Sequence, residues 1–374
     1  MKKLIFRKLI ADIASFFLIS SLAITLIVWV IQAVNYLDFV SEDGHSFKVY
    51  FMYSLLTLPK IFSKIMIFLF FISIFIVITK YEENNEILVF WTHGIKKIDF
   101  MNVLIIFSFI ILILHLSLTV YFVPKTQDMG RSYIRSSNID YFPALIKSKQ
   151  FIDTVEKLTI FIENKKENGE MENIFLKDKL DSDKSQIISA KKGYIINDKE
   201  TNFLVLYDGK IINIDGEGTN IIKFKKTNYN LSNYETKTTT YPKIQEQEIF
   251  TLLKCINSFF KYNTTYKTSI FSCEVATINP VIQEVAKRFF SPLYILIITF
   301  IAGSLIFKSK SDFNYNKYRI ILFLLGVISI VISEFSIQYI TYKNIFNIPI
   351  LTLPFLLTFI IYLTIIFNTR RKIN

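Results

Sequence analysis

Six long apolar segments, arranged three and three around a polar block, limit what this chain of 374 residues can fold into. Crossing the hydrocarbon core of a bilayer, about 30 Å thick, takes about 20 helical residues. Stretches such as Ile13–Leu37 and Phe100–Val123 contain no Asp, Glu, Lys or Arg. The sequence therefore predicts a polytopic α-helical membrane protein with one domain inserted at its midpoint. The six predicted spans are Leu9–Tyr36, Val49–Thr79, Phe100–Val123, Phe289–Phe307, Tyr318–Tyr339 and Phe346–Asn368.

The polar block between the third and fourth spans, Pro124–Lys287, has the pattern of β structure. Alternating apolar and polar residues are typical of strands with one buried face, and turn signals such as Asp208-Gly209 separate the runs. This spacing indicates a sandwich, a jelly roll or an open curled sheet. Gln245–Phe260 and Val275–Arg288 have helical spacing instead, and the second leads into the fourth span. The predicted strands are Phe151–Ile162, Asn173–Lys179, Gln186–Ile196, Phe203–Ile214 and Ile221–Phe224.

The distribution of Lys and Arg predicts the orientation of the chain, because these residues concentrate on the cytoplasmic side of membrane helices. Fourteen of them flank one set of span ends, whereas the two opposite short loops hold one each, Lys48 and Lys343. We therefore expect both termini in the cytoplasm and the polar block outside, which is the periplasm if the cell has an outer membrane. The net charge of +12 is attributed to topology and not to nucleic-acid binding. The fourteen residues are Lys2, Lys3, Arg7, Lys8, Lys80, Lys96, Lys97, Lys308, Lys310, Lys317, Arg319, Arg370, Arg371 and Lys372.

Several kinds of chemistry have no signature in the sequence. There is no G-x-x-x-x-G-K-[ST] loop for nucleotide phosphates and no G-x-S-x-G nucleophile turn. His45, His93 and His115 are scattered, and no cluster of Cys and His has metal-site spacing. We therefore expect no catalytic site, no metal and no cofactor. Cys255 and Cys273 would both lie in an oxidising compartment, but two cysteines alone leave the bonded and the free state open.

The predicted cytoplasmic segment Lys80–Asp99 is the first candidate for function. Acidic residues begin it, an apolar run follows, and a glycine comes after the run. A short interfacial helix with an exposed aromatic is typical of a surface that docks into a groove of another protein. The alternative is a connector that lies on the membrane with its Trp at the level of the headgroups. The candidate docking residues are Glu82, Glu83, Glu86, Trp91 and Gly94.

Charged residues inside the predicted spans are the second candidate. Lys60 and Lys64 share one face of the second helix, and Glu334 interrupts the fifth. Such charges are costly in hydrocarbon and usually face a cavity or a partner. A cavity that receives a phosphorylated lipid would use the lysines as point charges for phosphate. The alternatives are a structural Lys–Glu pair and lysines that snorkel to the outer interface.

Three more polar residues near the outer ends of the first and third spans extend this candidate lipid site. Gln32 either joins the cavity or hydrogen-bonds a neighbouring helix. Arg131 and Arg135 follow the third span, where they either contact lipid headgroups or serve as ordinary interface anchors.

Five short motifs occur in an order that resembles one family of membrane proteins. They are LTLP at Leu56–Pro59, NEIL at Asn85–Leu88 followed by HGI at His93–Ile95, VPK at Val123–Lys125, E-x-x-K-R-x-x-x-P-L at Glu284–Leu293, and the prolines Pro349 and Pro354. With these motifs and its three-plus-three architecture, the chain resembles the lipopolysaccharide-export permeases of the LptF/LptG type. The G type is slightly favoured by Leu55–Pro59 and Val40–Phe47. Phe90, Trp91 and Thr92 differ from the small residues that are usual in that family's coupling segment.

The resemblance implies a division of the chain into three parts. Residues 1–123 would form transmembrane helices 1–3, with a cytoplasmic coupling segment at residues 80–99. Residues 124–287 would form a periplasmic β-jelly-roll domain with a helical C-terminal lead, able to carry lipid on an open apolar face. Residues 288–374 would form transmembrane helices 4–6.

The resemblance also implies a role and a set of partners. The chain would be a permease subunit of an ABC transporter in the bacterial inner membrane, paired with a second, similar six-helix subunit. A cytoplasmic ATPase dimer would drive it, with Glu86 as the residue that matches the family's coupling acid. The complex would extract lipopolysaccharide and pass it to a periplasmic bridge jelly-roll protein. ATP hydrolysis would take place on the separate ATPase, and no nucleic acid is expected as a partner.

The alternative is a non-transporting membrane receptor or assembly scaffold whose periplasmic β domain binds a ligand. A sensor would normally add a cytoplasmic output domain, whereas the longest predicted cytoplasmic stretch is the segment Lys80–Asp99. This favours the transport subunit.

Overall fold

The computed structural model describes residues 2–37, 47–136, 148–155, 158–166, 169–179, 185–198, 201–215, 218–230, 243–262, 266–267, 272–273 and 275–341, and residues 352, 354–356, 358–360 and 362. The chain divides into two compact units. The first, here called the helical unit, comprises Met1–Val30, Thr57–Asp128 and Pro242–Asn374. The second, here called the sheet unit, comprises Ile31–Leu56 and Met129–Tyr241.

Five helical stretches among the described residues are long and apolar enough to cross a membrane, which confirms five of the predicted spans. The sixth predicted span, Phe346–Asn368, lies largely outside the described residues, although Tyr362 donates a hydrogen bond of 2.6 Å to the Asn102 side chain. The five stretches are Lys2–Asn35, Phe47–Glu83, Lys97–Ile134, Thr277–Phe307 and Tyr315–Gln338.

The helices follow the sequence pattern, with two departures. The second span is two helices that break at Thr57, and Pro59 is the second residue of the new helix, where a proline is tolerated. The predicted helical lead and the fourth span form one continuous helix. The helices are α1 Lys2–Asn35, α2 Phe47–Leu56, α3 Leu58–Glu83, α4 Ile87–Thr92, α5 Lys97–Ser117, α6 Val123–Ser136, α7 Ile249–Tyr262, α8 Val275–Gly303 and α9 Tyr315–Gln338.

Helix α8 is central to the helical unit, because it packs against α3, α5, α7 and α9. Buried aromatic and aliphatic side chains such as Phe70, Phe100 and Ile298 fill the space between α1, α3, α5 and α8. A side chain at Gly326 in α9 would overlap the ring of Phe71 in α3. Small residues that allow such close approach are typical of packing between membrane helices.

Two contacts mark the ends of the membrane-spanning part of this bundle. At one end, Lys97 Nζ donates to the Phe307 carbonyl at 3.2 Å. At the other, Thr119 Oγ1 donates to the Arg288 carbonyl at 3.1 Å. At a rise of about 1.5 Å per residue, both Lys97–Thr119 and Arg288–Phe307 are about 30 Å long. This equals the thickness of the hydrocarbon core, so we call the two levels the Lys97 boundary and the Arg288 boundary.

The described strands of the polar block form an antiparallel sheet of six strands in sequence order. The first predicted strand is two strands, β1 and β2, with an irregular register between them. The predicted turn at Asp208-Gly209 is wrong, because both residues lie inside β5. Asp208 has a left-handed φ of 49°, so this turn chemistry bends a strand without ending it. The strands are β1 Phe151–Val155, β2 Leu158–Lys165, β3 Met171–Lys179, β4 Ser185–Asp198, β5 Thr201–Asp215 and β6 Gly218–Asn230.

One face of the sheet carries a buried apolar cluster. Leu158 in β2 and Leu206 in β5 belong to one buried cluster, together with residues of β3 and β4. Side chains of four neighbouring strands thus form one continuous apolar core on this face. That the sheet curls and closes as a jelly roll stays a prediction.

A disulfide joins Cys255 in α7 to Cys273 in the strand β8 (Ser272–Cys273), which pairs with β7 (Tyr266–Lys267). The sequence left open whether these two cysteines are bonded, and the structure shows the bond. Both cysteines are buried with Leu252, Ile278 and Val281. The bond therefore fixes α7 and the β7–β8 hairpin to the beginning of α8.

Candidate functional site

A cavity of about 140 Å³ in the helical unit brings together three of the residues predicted to bind lipid, Lys60, Lys64 and Glu334. They come from α3 and α9, and α5, α6 and α8 supply further polar side chains. The complete lining is Lys60, Ser63, Lys64, Ile67, His115, Thr119, Val123, Pro124, Gln127, Gln245, Glu284, Lys287, Arg288, Ser291 and Glu334. Four of these side chains are cations and two are carboxylates. The cavity is therefore suited to an anionic group.

The cavity lies at the Arg288 boundary. Along α3, Lys60 is about 35 Å and Lys64 about 29 Å from Glu83, at about 1.5 Å per residue. Lys60 therefore lies at the edge of the hydrocarbon and Lys64 one turn inside it. Lys60 Nζ also approaches Gln127 Oε1 at 3.4 Å. A headgroup held here would stay at the surface of the membrane while its acyl chains stayed within it.

Glu334 forms an ion pair, but the partner that the structure gives it is Lys287 of α8, with Nζ and Oε2 2.8 Å apart. Lys60 and Lys64 were the partners considered for Glu334 from the sequence. The Lys287 and Glu334 side chains remain 44% and 52% exposed. Exposed pairs of this kind contribute about 0–1 kcal/mol to stability, so the pair is easily separated.

Arg288, by contrast, is fixed and only 2% exposed. Its Nε donates to Glu284 Oε1 at 2.9 Å. Nη1 donates to the Gln247 carbonyl at 2.9 Å and Nη2 to the Gln245 carbonyl at 3.0 Å. These bonds satisfy the guanidinium and attach the chain before α7 to α8. Arg288 is therefore a structural part of the wall.

His115 forms the inner wall of the cavity. Its Nε2 lies 3.0 Å from the Ser63 carbonyl and 3.3 Å from Ser63 Oγ. The ring is buried, and Nδ1 has no hydrogen-bond partner among the described residues. Nothing in the sequence distinguished His115 from an ordinary packing histidine.

The cations and the acid that α8 contributes to the cavity were not predicted as site residues. Glu284, Lys287 and Arg288 belong to a motif that was noted for the resemblance and not for the site. Their spacing of three and four residues places them on one face of a helix. That spacing, next to a span, is the signal that predicts a charged face there.

The remaining predicted lipid contacts belong to the sheet unit. Gln32 is half-buried in α1, and Arg131 is buried in α6. Arg135 lies in α6, but its side chain is outside the described residues. The lining of the cavity does not include these three residues, and their contact with lipid stays a prediction.

In the predicted coupling segment, two of the acids bind within the chain. Glu82 is buried and accepts the Lys310 N–H at 2.7 Å. Glu83 Oε1 pairs with Arg319 Nη1 at 2.7 Å, and its carbonyl accepts Lys310 Nζ at 2.9 Å. Both acids therefore bind the segment before α9, and Glu83 also binds α9 itself through Arg319.

The rest of the segment has a more accessible surface. Glu86 is 3.5 Å from Lys8, and Gly94 has a φ of +66°, which favours glycine. Trp91 is half-buried against the core, with Lys97 Nζ 5.8 Å from the centre of its ring. The most exposed apolar side chains of α4 are Leu88 and Val89, at 54% and 43%. The aromatic expected to be exposed is therefore largely covered.

Comparisons with known proteins agree with this architecture. The family description "Lipopolysaccharide export system permease LptF/LptG" matches residues 7–368. An uncharacterized protein of Rickettsia prowazekii (strain Madrid E) is 20% identical over 191 residues, which cover 51% of this chain and 53% of that protein. The chain thus spans about half the length of the curated relative that it matches. Since the family match covers nearly the whole chain, this multi-pass membrane protein belongs to the lipopolysaccharide export system permease LptF/LptG family.

Proposed function

We propose that the chain is a permease subunit that extracts lipopolysaccharide from the inner membrane, and that the charged cavity holds phosphate groups of the lipid. The observation that carries this is the meeting of Lys60, Lys64 and Lys287 around one cavity at a membrane boundary. Lysine side chains bind phosphate as point charges. A charge-assisted hydrogen bond of this kind contributes about 1.5–3 kcal/mol.

The orientation supports the same function. Basic residues cluster at the Lys97 boundary, so we place that boundary at the cytoplasm and the Arg288 boundary at the periplasm. The lipid would then be held at the outer leaflet. Three finer features of the chain also stay proposals. They are six membrane spans, a periplasmic jelly roll at residues 124–287, and its identity as a G-type subunit.

The energy would come from a cytoplasmic ATPase dimer that docks on the segment around α4. Its exposed Leu88 and Val89, beside Glu86, fit an apolar groove with a basic rim. A second six-helix subunit would enclose the lipid from the opposite side. A periplasmic bridge protein would receive the lipid from the sheet.

Photocrosslinking of lipopolysaccharide to the purified complex tests the proposal. The variant Lys60→Gln/Lys64→Gln should bind the lipid with an affinity lower by about one to two orders of magnitude, and its unfolding temperature should not change. Lys317→Gln, an exposed cation of α9 near the opposite boundary, is the matched control and should bind as the native chain does. Unchanged crosslinking in the double variant would remove these lysines from the lipid site.

A further inference from the structure

We propose that Glu334 is an internal substitute for the ligand: it holds the ammonium of Lys287 until a phosphate of the lipid displaces it. This inference rests on the proposed function of the cavity. In this inference Glu334 competes with the lipid for the ammonium of Lys287, whereas the lysines attract the lipid.

Two ion pairs among the described residues of the cavity differ in how easily they open. The Glu284–Arg288 side chains are 15% and 3% exposed, and the backbone carbonyls of Gln245 and Gln247 also hold the guanidinium. Opening that pair would leave a buried charge without a partner, which is strongly unfavourable. The Lys287–Glu334 pair is about half exposed and has one contact of 2.8 Å. Water can solvate both of its ions when they separate, so this is the pair that can exchange.

A phosphate group can replace this carboxylate and bind more strongly. Both are oxyanions that accept hydrogen bonds from an ammonium group. A phosphate monoester carries a charge of about −1.5 to −2 and three acceptor oxygens, whereas a carboxylate carries −1 and two. Lys60 and Lys64 line the same cavity as Lys287. A phosphate can therefore interact with several ammonium groups whose combined charge exceeds that of one carboxylate.

The exchange would also affect how α9 is held. At this end of the bundle, polar side chains of α8 attach α9 and the residues after it, beside an apolar cluster that contains Ala286, Ile337 and Ile340. Lys287 pairs with Glu334, and Gln283 Nε2 donates to the carbonyls of Gln338 and Ile340 at 2.9 and 3.1 Å. Displacement of Glu334 would remove the charged attachment and leave the neutral one. Arrival of the lipid would therefore loosen α9 beside the cavity.

The test compares the two partners of the same ion pair. The probe is diphosphoryl lipid A, and its affinity for the purified full-length chain is measured in detergent. Glu334→Gln should raise the affinity about two- to fivefold, which is the range expected when an exposed competing ion pair is removed. Lys287→Gln should lower it by a similar factor. Lys287→Gln/Glu334→Gln should behave like Lys287→Gln, because the competitor has no effect once its cation is gone.

A purely structural pair would give a different result. Loss of either partner would then lower affinity and unfolding temperature together, and a decrease in affinity for Glu334→Gln would overturn the inference. The proposed function would still stand if Lys60→Gln/Lys64→Gln weakened binding. Equal affinity of the native chain for dephosphorylated lipid A would instead overturn the proposed function. Inorganic phosphate is the third probe, and binding as tight as that of the lipid would show that the displacing anion is not a lipid headgroup.

Discussion

The guanidinium of Arg288 donates a 2.9 Å hydrogen bond to the backbone carbonyl of Gln247, 41 residues earlier in the chain. This bond fixes the point at which the polypeptide returns to the helical unit from the inserted block. The same side chain marks the membrane boundary at which the cavity opens. The return of the chain to the helical unit and the wall of the cavity therefore both depend on the buried guanidinium of Arg288.

Replacement of Arg288 tests this dependence. Arg288→Ala leaves the Glu284 carboxylate without its buried partner, and we expect the free energy of unfolding to fall by about 3–5 kcal/mol. Unfolding of the detergent-purified protein by heat or denaturant measures the effect. Lys287→Ala on the same helix is the control and should change stability by less than about 1 kcal/mol. Equal effects of the two variants would contradict the structural role of Arg288.

The disulfide gives a second prediction. Cys255 and Cys273 are separated by 18 positions, and closing a loop of that size stabilises a fold by about 3 kcal/mol. Cys255→Ser/Cys273→Ser should lower stability by this amount. Mass spectrometry with and without reductant reports the bond in the native chain. Two thiols that alkylate fully in native protein isolated without reductant would contradict it.

Glu86 carries the prediction for ATPase docking. Reversal of an interfacial charge costs about 2–5 kcal/mol when the pair is desolvated, so Glu86→Lys should abolish co-purification with the ATPase. Lys8 Nζ lies 3.5 Å from the Glu86 carboxylate within the chain, which provides a control. If Glu86 acted only through Lys8, the exchange Lys8→Glu/Glu86→Lys would restore the complex. We expect no restoration, because the docking surface still carries the wrong charge.

The sheet unit should show a pH dependence that originates at Glu170. Hydrogen bonds from Lys192 and then Lys166 lower the pKa of Glu170 below its usual 4.5. The ionised carboxylate therefore stabilises the fold above pH 4.5, and this contribution is lost as the pH falls through the lower, folded-state pKa. Glu170→Gln should flatten the fall in unfolding temperature below about pH 4.5, measured by circular dichroism of the full chain. Lys192→Gln should flatten it as well. A native-like slope in both variants would contradict the assignment.

The sequence predicted most where structure depends on local chemistry. Five spans followed from apolar length alone, and the shared face of Lys60 and Lys64 followed from their spacing of four. The sequence did not predict contacts between residues that are far apart in the chain. Lys287 and Glu334 are 47 positions apart, and the residues around either one do not indicate the other. The error at Asp208-Gly209 has a related cause. A turn and a bend inside a strand need the same left-handed residue, so the dipeptide alone cannot distinguish them.

The central place of α8 has a consequence for biosynthesis. The helix packs against α3 and α5, yet it follows them in the chain by the whole inserted block. Synthesis of the roughly 140 residues between Ser136 and Val275 takes about 10 to 30 s at 5–20 residues per second. During that interval α3 and α5 lack their main packing partner, and Lys60 lacks every charged neighbour that α8 will bring. The cavity therefore cannot form on a nascent chain before α8 and α9 are made, so an incomplete permease has no complete site with which to capture lipid.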